Sequence, residues 1–345
     1  MKIKFHPFLT FPIALLLALS LSACSGGSPL APGNSSGSDT WNEIPITVGY
    51  DPEKPLNGML TLPIDSEAPP VVILIQGSGP NSMDSPIGAA KNRMFADLAH
   101  GLAGHGIASV RYDKRSYAYP DDVIDIQTEY LYDVKAAVDF IQTEPRVDKD
   151  RLYLLGHSQG GMLTPKLAAD NPECKGLISM GGTLRRMEDI ILEQNKTLNR
   201  QNPALDEKER ADADAQITEL VDKIKSFTDG SEASPDALLY GYLETYWKSL
   251  NVIDSLALAR NLAAQEFPML ILQAKNDFQV LYETDYTLWQ KTVADNPNAD
   301  CIAYNGLSHV FMPGKREPMD PSVYDAPAHV DETVIKDIAM WILEQ

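Results

Sequence analysis

Apolar residues along this chain change their spacing three times. Residues 44–48 (Ile44-Pro45-Ile46-Thr47-Val48) and 59–62 (Met59-Leu60-Thr61-Leu62) partly alternate, as strands with one solvated face do, and predict an antiparallel edge. At residues 71–75 the alternation gives way to Val71-Val72-Ile73-Leu74-Ile75, a continuous β-branched run suited to a strand covered on both faces of a parallel sheet. Similar runs occupy residues 107–110, 152–155, 177–180, 269–272 and 301–304. Segments of helical period lie between several of them, at residues 92–103, 129–141 and 162–169. Strand and helix alternating in this way predict an α/β fold built on a mostly parallel, doubly wound sheet.

The alternation stops between residues 184 and 266, where Glu, Asp, Lys, Gln, Leu and Ala dominate and no strand-like run occurs. This segment is expected to be an all-helical insertion, with helices at 187–199, 207–227 and 235–259. The last carries Leu238, Leu239, Tyr242, Leu243, Tyr246 and Trp247 at helical spacing. An insertion here can cap the carboxyl edge of the sheet, where open α/β folds bind ligands. The expected organisation is a core in two parts, residues 41–183 and 267–345, with the cap at 184–266 between them.

The amino terminus has a different character. Lys2 and Lys4 precede an apolar stretch at 8–19 that is too short to span a bilayer and has the proportions of a signal-peptide core. It ends in Leu21-Ser22-Ala23-Cys24, which resembles the lipobox of bacterial lipoproteins. That resemblance implies a leader at 1–23, lipidation of Cys24, and an extracytoplasmic protein of the cell envelope held to a membrane. The segment through residue 40 is rich in Ser, Gly, Pro and Asn and reads as a flexible tether.

Composition narrows the function without naming it. The chain is 44% hydrophobic and 22% charged, which is globular rather than disordered, and its formal net charge of -19 leaves no basic stripe for nucleic acid. Of the three cysteines, Cys24 is assigned to lipid. Cys174 and Cys301 could pair in an oxidising compartment, but a sequence gives no distance between them, and they are taken as two buried thiols.

The chemistry centres on Gly156-His157-Ser158-Gln159-Gly160, a G-x-S-x-G that directly follows the strand at 152–155 and directly precedes a helix. A nucleophile elbow needs that context: a turn tight enough to demand small flanking residues and to expose the serine hydroxyl. Serine becomes nucleophilic only when a base takes its proton, and the base must be held in one tautomer by an acid. In chain order the acid and then the histidine follow the serine, each on a loop after a later strand. Asp277 follows the run ending at Ala274, and His309 follows residues 301–304, so these two are the expected acid and base. Asp254, Asp285 and His329 are the rivals. The first lies in the insertion, the second in a following helix and the third just ahead of the last helix. His157 is expected to pack in the elbow. The oxyanion would be met by the backbone N–H of Gln159 and, in the Gly-rich loop Gln76-Gly77-Ser78-Gly79-Pro80 after the strand at 71–75, by that of Ser78. The charged run Arg111-Tyr112-Asp113-Lys114-Arg115 is read as an ion-pair network holding loops at the same sheet edge. No zinc, P-loop or dinucleotide motif is present, so no metal or cofactor is implied.

Taken together, Gln76-Gly77-Ser78-Gly79-Pro80-Asn81, the run 111–115, Gly156 to Gly161, Asn276-Asp277-Phe278-Gln279-Val280 and Gly306-Leu307-Ser308-His309 resemble the α/β-hydrolases of bacterial carboxylesterase type, particularly the EstD-like esterases. The resemblance implies Ser158, Asp277 and His309 as triad, and short-chain acyl esters as small-molecule substrates. Gln76 departs from the His often found there in the wider superfamily, and Ser116 stands where Gly is usual. A serine peptidase of prolyl-oligopeptidase type shares the fold and the triad order, but little chain precedes the core to build a propeller. A binding lipoprotein on an inactive hydrolase fold is the remaining alternative.

Overall fold

The computed structural model describes residues 40–345, so the expectations for the leader, Cys24 and the tether through residue 39 lie outside the described residues. The central sheet contains β1 (Trp41–Val48), β2 (Leu56–Pro63), β3 (Pro70–Ile75), β4 (Ala108–Tyr112), β5 (Asp148–His157), β6 (Cys174–Met180), β7 (Met269–Ala274) and β8 (Ala299–Tyr304). Their spatial order is β1-β2-β4-β3-β5-β6-β7-β8. β2 runs antiparallel to both β1 and β4, with Trp41 opposite Pro63 and Gly58 opposite Tyr112. The remaining neighbours are parallel. The strand order reverses at β3, since the chain steps outward to β4 and then returns to β5 on the other side. A crevice opens at such a switch point, beyond the carboxyl ends of the strands.

Every residue of β3 is buried, and alternation along it feeds two cores. Val71, Ile73 and Ile75 face Val134 and Val138 of one helix and Leu163 and Leu167 of another. Val72 and Leu74 face Phe95, Leu98 and Leu102 on the opposite side, with Ile338 and Ile342. The helices concerned are α1 (Met94–Gly104), α2 (Tyr132–Thr143), α3 (Gln159–Asp170) and the carboxyl-terminal helix Glu332–Glu344. Each such side chain removed from water contributes on the order of 1.5–3 kcal/mol before chain entropy is set against it, which explains why β3, buried on both faces, carries no polar residue.

Between β6 and β7 stand α4 (Met187–Gln201), α5 (Glu207–Lys225), α6 (Glu244–Asn251) and α7 (Ser255–Ala264). The first two match the expected helices, and α5 opens with a capping box between Asp206 and Glu209. The expected helix at 235–259 is corrected, as is the all-helical character of the insertion. Leu238–Leu239 pairs antiparallel with Tyr242–Leu243 around Tyr240 and Gly241, both at positive φ (47° and 80°). That pair of left-handed residues makes a type I′ hairpin turn and stops any helix through it. A second break comes at Asp254, whose carboxylate accepts from Ala257 N at 2.9 Å and caps α7. Among the described residues no helix is long and apolar enough to cross a membrane.

Cys174 on β6 and Cys301 on β8 are free, and β7 lies between them. Cys174 is buried and Cys301 half-buried; burial pushes the Cys174 thiol up to about 12 and the Cys301 thiol up to about 11.

Candidate active site

β5 ends at His157 and α3 begins at Gln159, leaving Ser158 alone in the turn with φ 54° and ψ -117°. A non-glycine residue rarely adopts that conformation, and its cost is offset by fixed neighbours: Ser158 N donates to Met180 O at 2.9 Å and Met162 N to Ser158 O at 2.9 Å. The turn is also too tight for side chains on either flank. A Cβ at Gly156 would fall 2.3 Å from Gly160 O, and one at Gly160 would fall 2.4 Å from Ile75 O. The G-x-S-x-G spacing is thus the steric condition for placing a serine over the end of the sheet.

Asp277 is fully buried in the loop after β7. Its Oδ1 accepts from Gln279 N at 2.7 Å and Val280 N at 2.9 Å, which closes a local turn and aims Oδ2 elsewhere. Oδ2 receives His309 Nδ1–H at 2.6 Å and Gln273 Nε2 at 3.2 Å. A carboxylate that accepts at Nδ1 leaves Nε2 as the basic nitrogen of His309. His309 sits in the loop after β8, which is held because Ser308 N donates to Met312 O at 2.8 Å and Phe311 N to Ser308 O at 2.8 Å. Ser158 and His309 line one cavity of about 70 Å³. No hydrogen bond joins their side chains in this conformation.

His157 packs in the elbow as expected, but with a specific task. Its Nε2 lies 2.9 Å from the carbonyl oxygen of His309. A carbonyl can only accept, so this nitrogen carries the hydrogen. Burial, and then the neighbouring His309 ring, push the His157 imidazole down to about 3, which keeps it neutral.

The Gln76–Pro80 loop follows β3 and passes beside the elbow, where a Cβ on Gly77 would lie 3.0 Å from Ser158 Cβ. The run 111–115 clamps this loop. Arg111 Nε binds Asp84 at 2.9 Å, Asp113 accepts from Met83 N at 2.8 Å, and Lys114 N donates to Asn81 O at 3.0 Å. Lys114 Nζ, buried, donates to Gly77 O at 2.9 Å and faces Glu129 at 3.3 Å. Burial lowers the Lys114 ammonium and the Glu129 charge opposes that shift. A π-helical turn, Gln127–Leu131, presents Glu129 together with Tyr130, whose hydroxyl donates to Gly77 O at 2.8 Å. Gln76 takes part as well: its Nε2 donates to Tyr112 O at 2.6 Å and Ser82 O at 3.2 Å, so the unusual residue braces the loop from within. Backbone N–H groups of Ser78 and Gln159 belong to residues that line a second cavity, of about 60 Å³, with Ser158. Gln159 opens α3, where the helix leaves its first N–H groups without intrahelical partners.

The rival residues have other tasks. Asp285 binds Arg185 at 2.8 Å and Thr183 at 2.5 Å, Asp254 caps α7, and His329 lies at the surface against Asp97 at 3.0 Å. Sequence reasoning missed Gln273 and the task of His157. Gln273 left one signal, as the lone polar side chain in the run Met269–Ala274. Among the described residues no group of acidic, His or Cys side chains could hold a metal.

Comparison with known proteins points to an α/β-hydrolase of the esterase type. The family described as Serine aminopeptidase, S33 matches residues 89–314. Esterase EstD of Thermotoga maritima is 31% identical over 308 residues, covering 89% of this chain and 68% of that protein. Among solved structures, Est1E from Butyrivibrio proteoclasticus superposes with a TM-score of 0.54 at 17% identity, over 87% of this chain and 99% of that one. A putative dipeptidyl aminopeptidase IV from Bacteroides ovatus also gives a TM-score of 0.54, at 16% identity, over 90% of this chain but 36% of that one.

Proposed function

The chain belongs to the serine aminopeptidase S33 family and is an α/β-hydrolase of the esterase type, and from that premise we propose that it cleaves short-chain carboxylic esters through an acyl-enzyme on Ser158. The observation that carries the reading is the buried Asp277–His309 hydrogen bond of 2.6 Å beside a serine on a strained turn. His309 Nε2 takes the Ser158 hydroxyl proton as Oγ bonds to the acyl carbon. The resulting oxyanion is met by the N–H groups of Gln159 and Ser78 at the positive end of α3. As the carbon–oxygen ester bond breaks, His309 returns the proton to the departing alcohol. Water then repeats both steps and frees the acid.

His309 lines the first cavity and not the second, and the leaving alcohol must reach the imidazole. The first cavity is therefore the alcohol side. The second, walled by Met162, Met187, Ile190, Ile191 and Val280, is the acyl side, and its volume of about 60 Å³ favours short acyl groups. In the same reading Cys24 carries lipid and tethers the enzyme to a membrane of the cell envelope.

A fluorophosphonate should label the purified protein at Ser158 alone, and Ser158→Ala should abolish labelling and lower kcat about 10⁶-fold on acyl esters. Full esterase activity in Ser158→Ala would end the proposal, and efficient cleavage of aminoacyl reporters with poor ester turnover would turn it into a peptidase. For the anchor, Cys24→Ser should release the protein from the membrane fraction and abolish incorporation of labelled fatty acid. A protein that stays membrane-bound and labelled after that change has no anchor at Cys24.

A further inference from the structure

A larger cleft lies beyond the acyl-side cavity, between the cap hairpin and residues 116–124. Its volume is about 720 Å³ against about 60 Å³, and Val123, Ile124 and Leu238 contribute to its mostly apolar wall. Both spaces are lined by Tyr242, while the cleft touches Gly79 and the cavity touches Ser78 on the same loop. Tyr242 thus stands between a small apolar space open to the nucleophile and a large one that is not.

Its ring is fixed on several sides. It stacks on Tyr246 with centroids 4.4 Å apart at 18° and meets Trp247 edge-on at 5.5 Å. Its hydroxyl oxygen accepts from Gly79 N at 3.1 Å. Trp247 Nε1 donates to Leu239 O at 2.7 Å, which ties α6 back to the hairpin. The type I′ turn at Tyr240 and Gly241 sets the direction of the Tyr242 strand, so the cap hairpin delivers the ring to this position.

We propose that the Tyr242 ring is the partition that limits acyl length, and that removing it joins the acyl-side cavity to the apolar cleft behind the cap. The inference rests on the acyl-side assignment above. The ring and the hydroxyl have separable effects. The ring excludes a long chain, whereas the hydroxyl holds Gly79 next to Ser78 and so acts on the rate for every ester.

The test is the kcat/KM profile of the whole enzyme on p-nitrophenyl acetate, butyrate, octanoate and dodecanoate. Wild type should decline between butyrate and octanoate. Tyr242→Leu should raise the octanoate-to-butyrate ratio at least about tenfold, since a methylene entering apolar space is worth roughly fourfold. Tyr242→Met offers the same opening with a flexible side chain that can keep its contact with Tyr246, should the leucine variant fold poorly. Val123→Trp, added to either, should narrow the cleft beside Tyr242 and lower the ratio toward wild type. Tyr242→Phe keeps the ring, so its ratio should stay within about twofold of wild type while kcat falls on all four esters.

An unchanged ratio in both Tyr242→Leu and Tyr242→Met overturns the proposal, as does a rise in Tyr242→Phe equal to theirs. A ratio that survives Val123→Trp overturns the route through the cleft. Absence of phosphonate labelling at Ser158 in wild type would instead remove the esterase reading on which the assignment depends.

Discussion

At the residue scale the site is a set of hydrogen bonds that leave each group one useful direction. Asp277 has both oxygens engaged, so His309 Nδ1 has a fixed partner and its Nε2 is the free nitrogen. His157 holds the His309 carbonyl and titrates at about 3, far below an ordinary histidine. The unfolded chain would bind this proton near the ordinary histidine value of 6.5, the folded protein only at about 3. Lowering the pH through that window therefore favours the unfolded state, by about 1.4 kcal/mol for each pH unit crossed and a few kcal/mol at most. His157→Asn should flatten the fall in melting temperature between about pH 6.5 and 4 while lowering kcat, because a shorter side chain no longer reaches His309. Melting curves that keep the wild-type pH slope would show that His157 is not the buried group responsible. Strand context and chain order were enough to rank Ser158, Asp277 and His309 ahead of their rivals in the sequence, and the structure brings Asp277 within 2.6 Å of His309 and sets His309 with Ser158 around one cavity. The partner of His157 was not legible, since nothing in G-x-S-x-G says which way the second side chain turns.

At the element scale the loop after β3 matters most, because its backbone has to be rigid before charge develops on the substrate. The run 111–115 lies at the end of β4, beside β3, and that adjacency turns a charge cluster into a clamp. Lys114 and Glu129 form one of its buried ion pairs, at 3.3 Å, and Arg115 and Asp133 another, at 2.6 Å. Lys114→Met leaves Glu129 buried without its cation and should cost about 3–5 kcal/mol of stability. It should also lower kcat about 10- to 100-fold with little change in KM, as Gly77 loses a donor. Adding Glu129→Gln should recover much of the melting temperature but not the kcat. Recovery of both would mean that the pair serves stability alone. Sequence reading identified the run as a loop-holding network but could not assign its partners, because Asp84, Glu129 and Glu43, which pairs with Arg111 at 2.5 Å, are distant in sequence and meet the run only in the fold. The helix expected at 235–259 failed for a local reason. Its apolar residues have helical spacing, yet Tyr240-Gly241 takes a hairpin turn and Asp254 starts a new helix.

At the scale of the whole molecule the cap is tied to both halves of the site. Gln194 of α4 donates to Gln279 O at 2.6 Å in the loop that carries Asp277, and Tyr242 of the hairpin accepts from Gly79 N in the loop after β3. Ile190 and Ile191 of α4 also line the cavity that the proposed mechanism gives to the acyl group. A covalent adduct on Ser158 with an alkyl group on this side should therefore order the cap more than the sheet, whose central strands are already buried on both faces. The measurement is amide hydrogen exchange of the free enzyme against the enzyme phosphonylated with a butyl or a methyl group. Protection should increase in residues 187–201 and 238–243 for the butyl adduct and much less for the methyl adduct, with β3 and β5 unchanged in both. The elbow and the adduct are common to the two samples, so a difference confined to the cap isolates contact with the alkyl chain. Equal protection by butyl and methyl groups would place the acyl chain away from α4, and the cap would then act on the site through the Gln279 and Gly79 contacts alone.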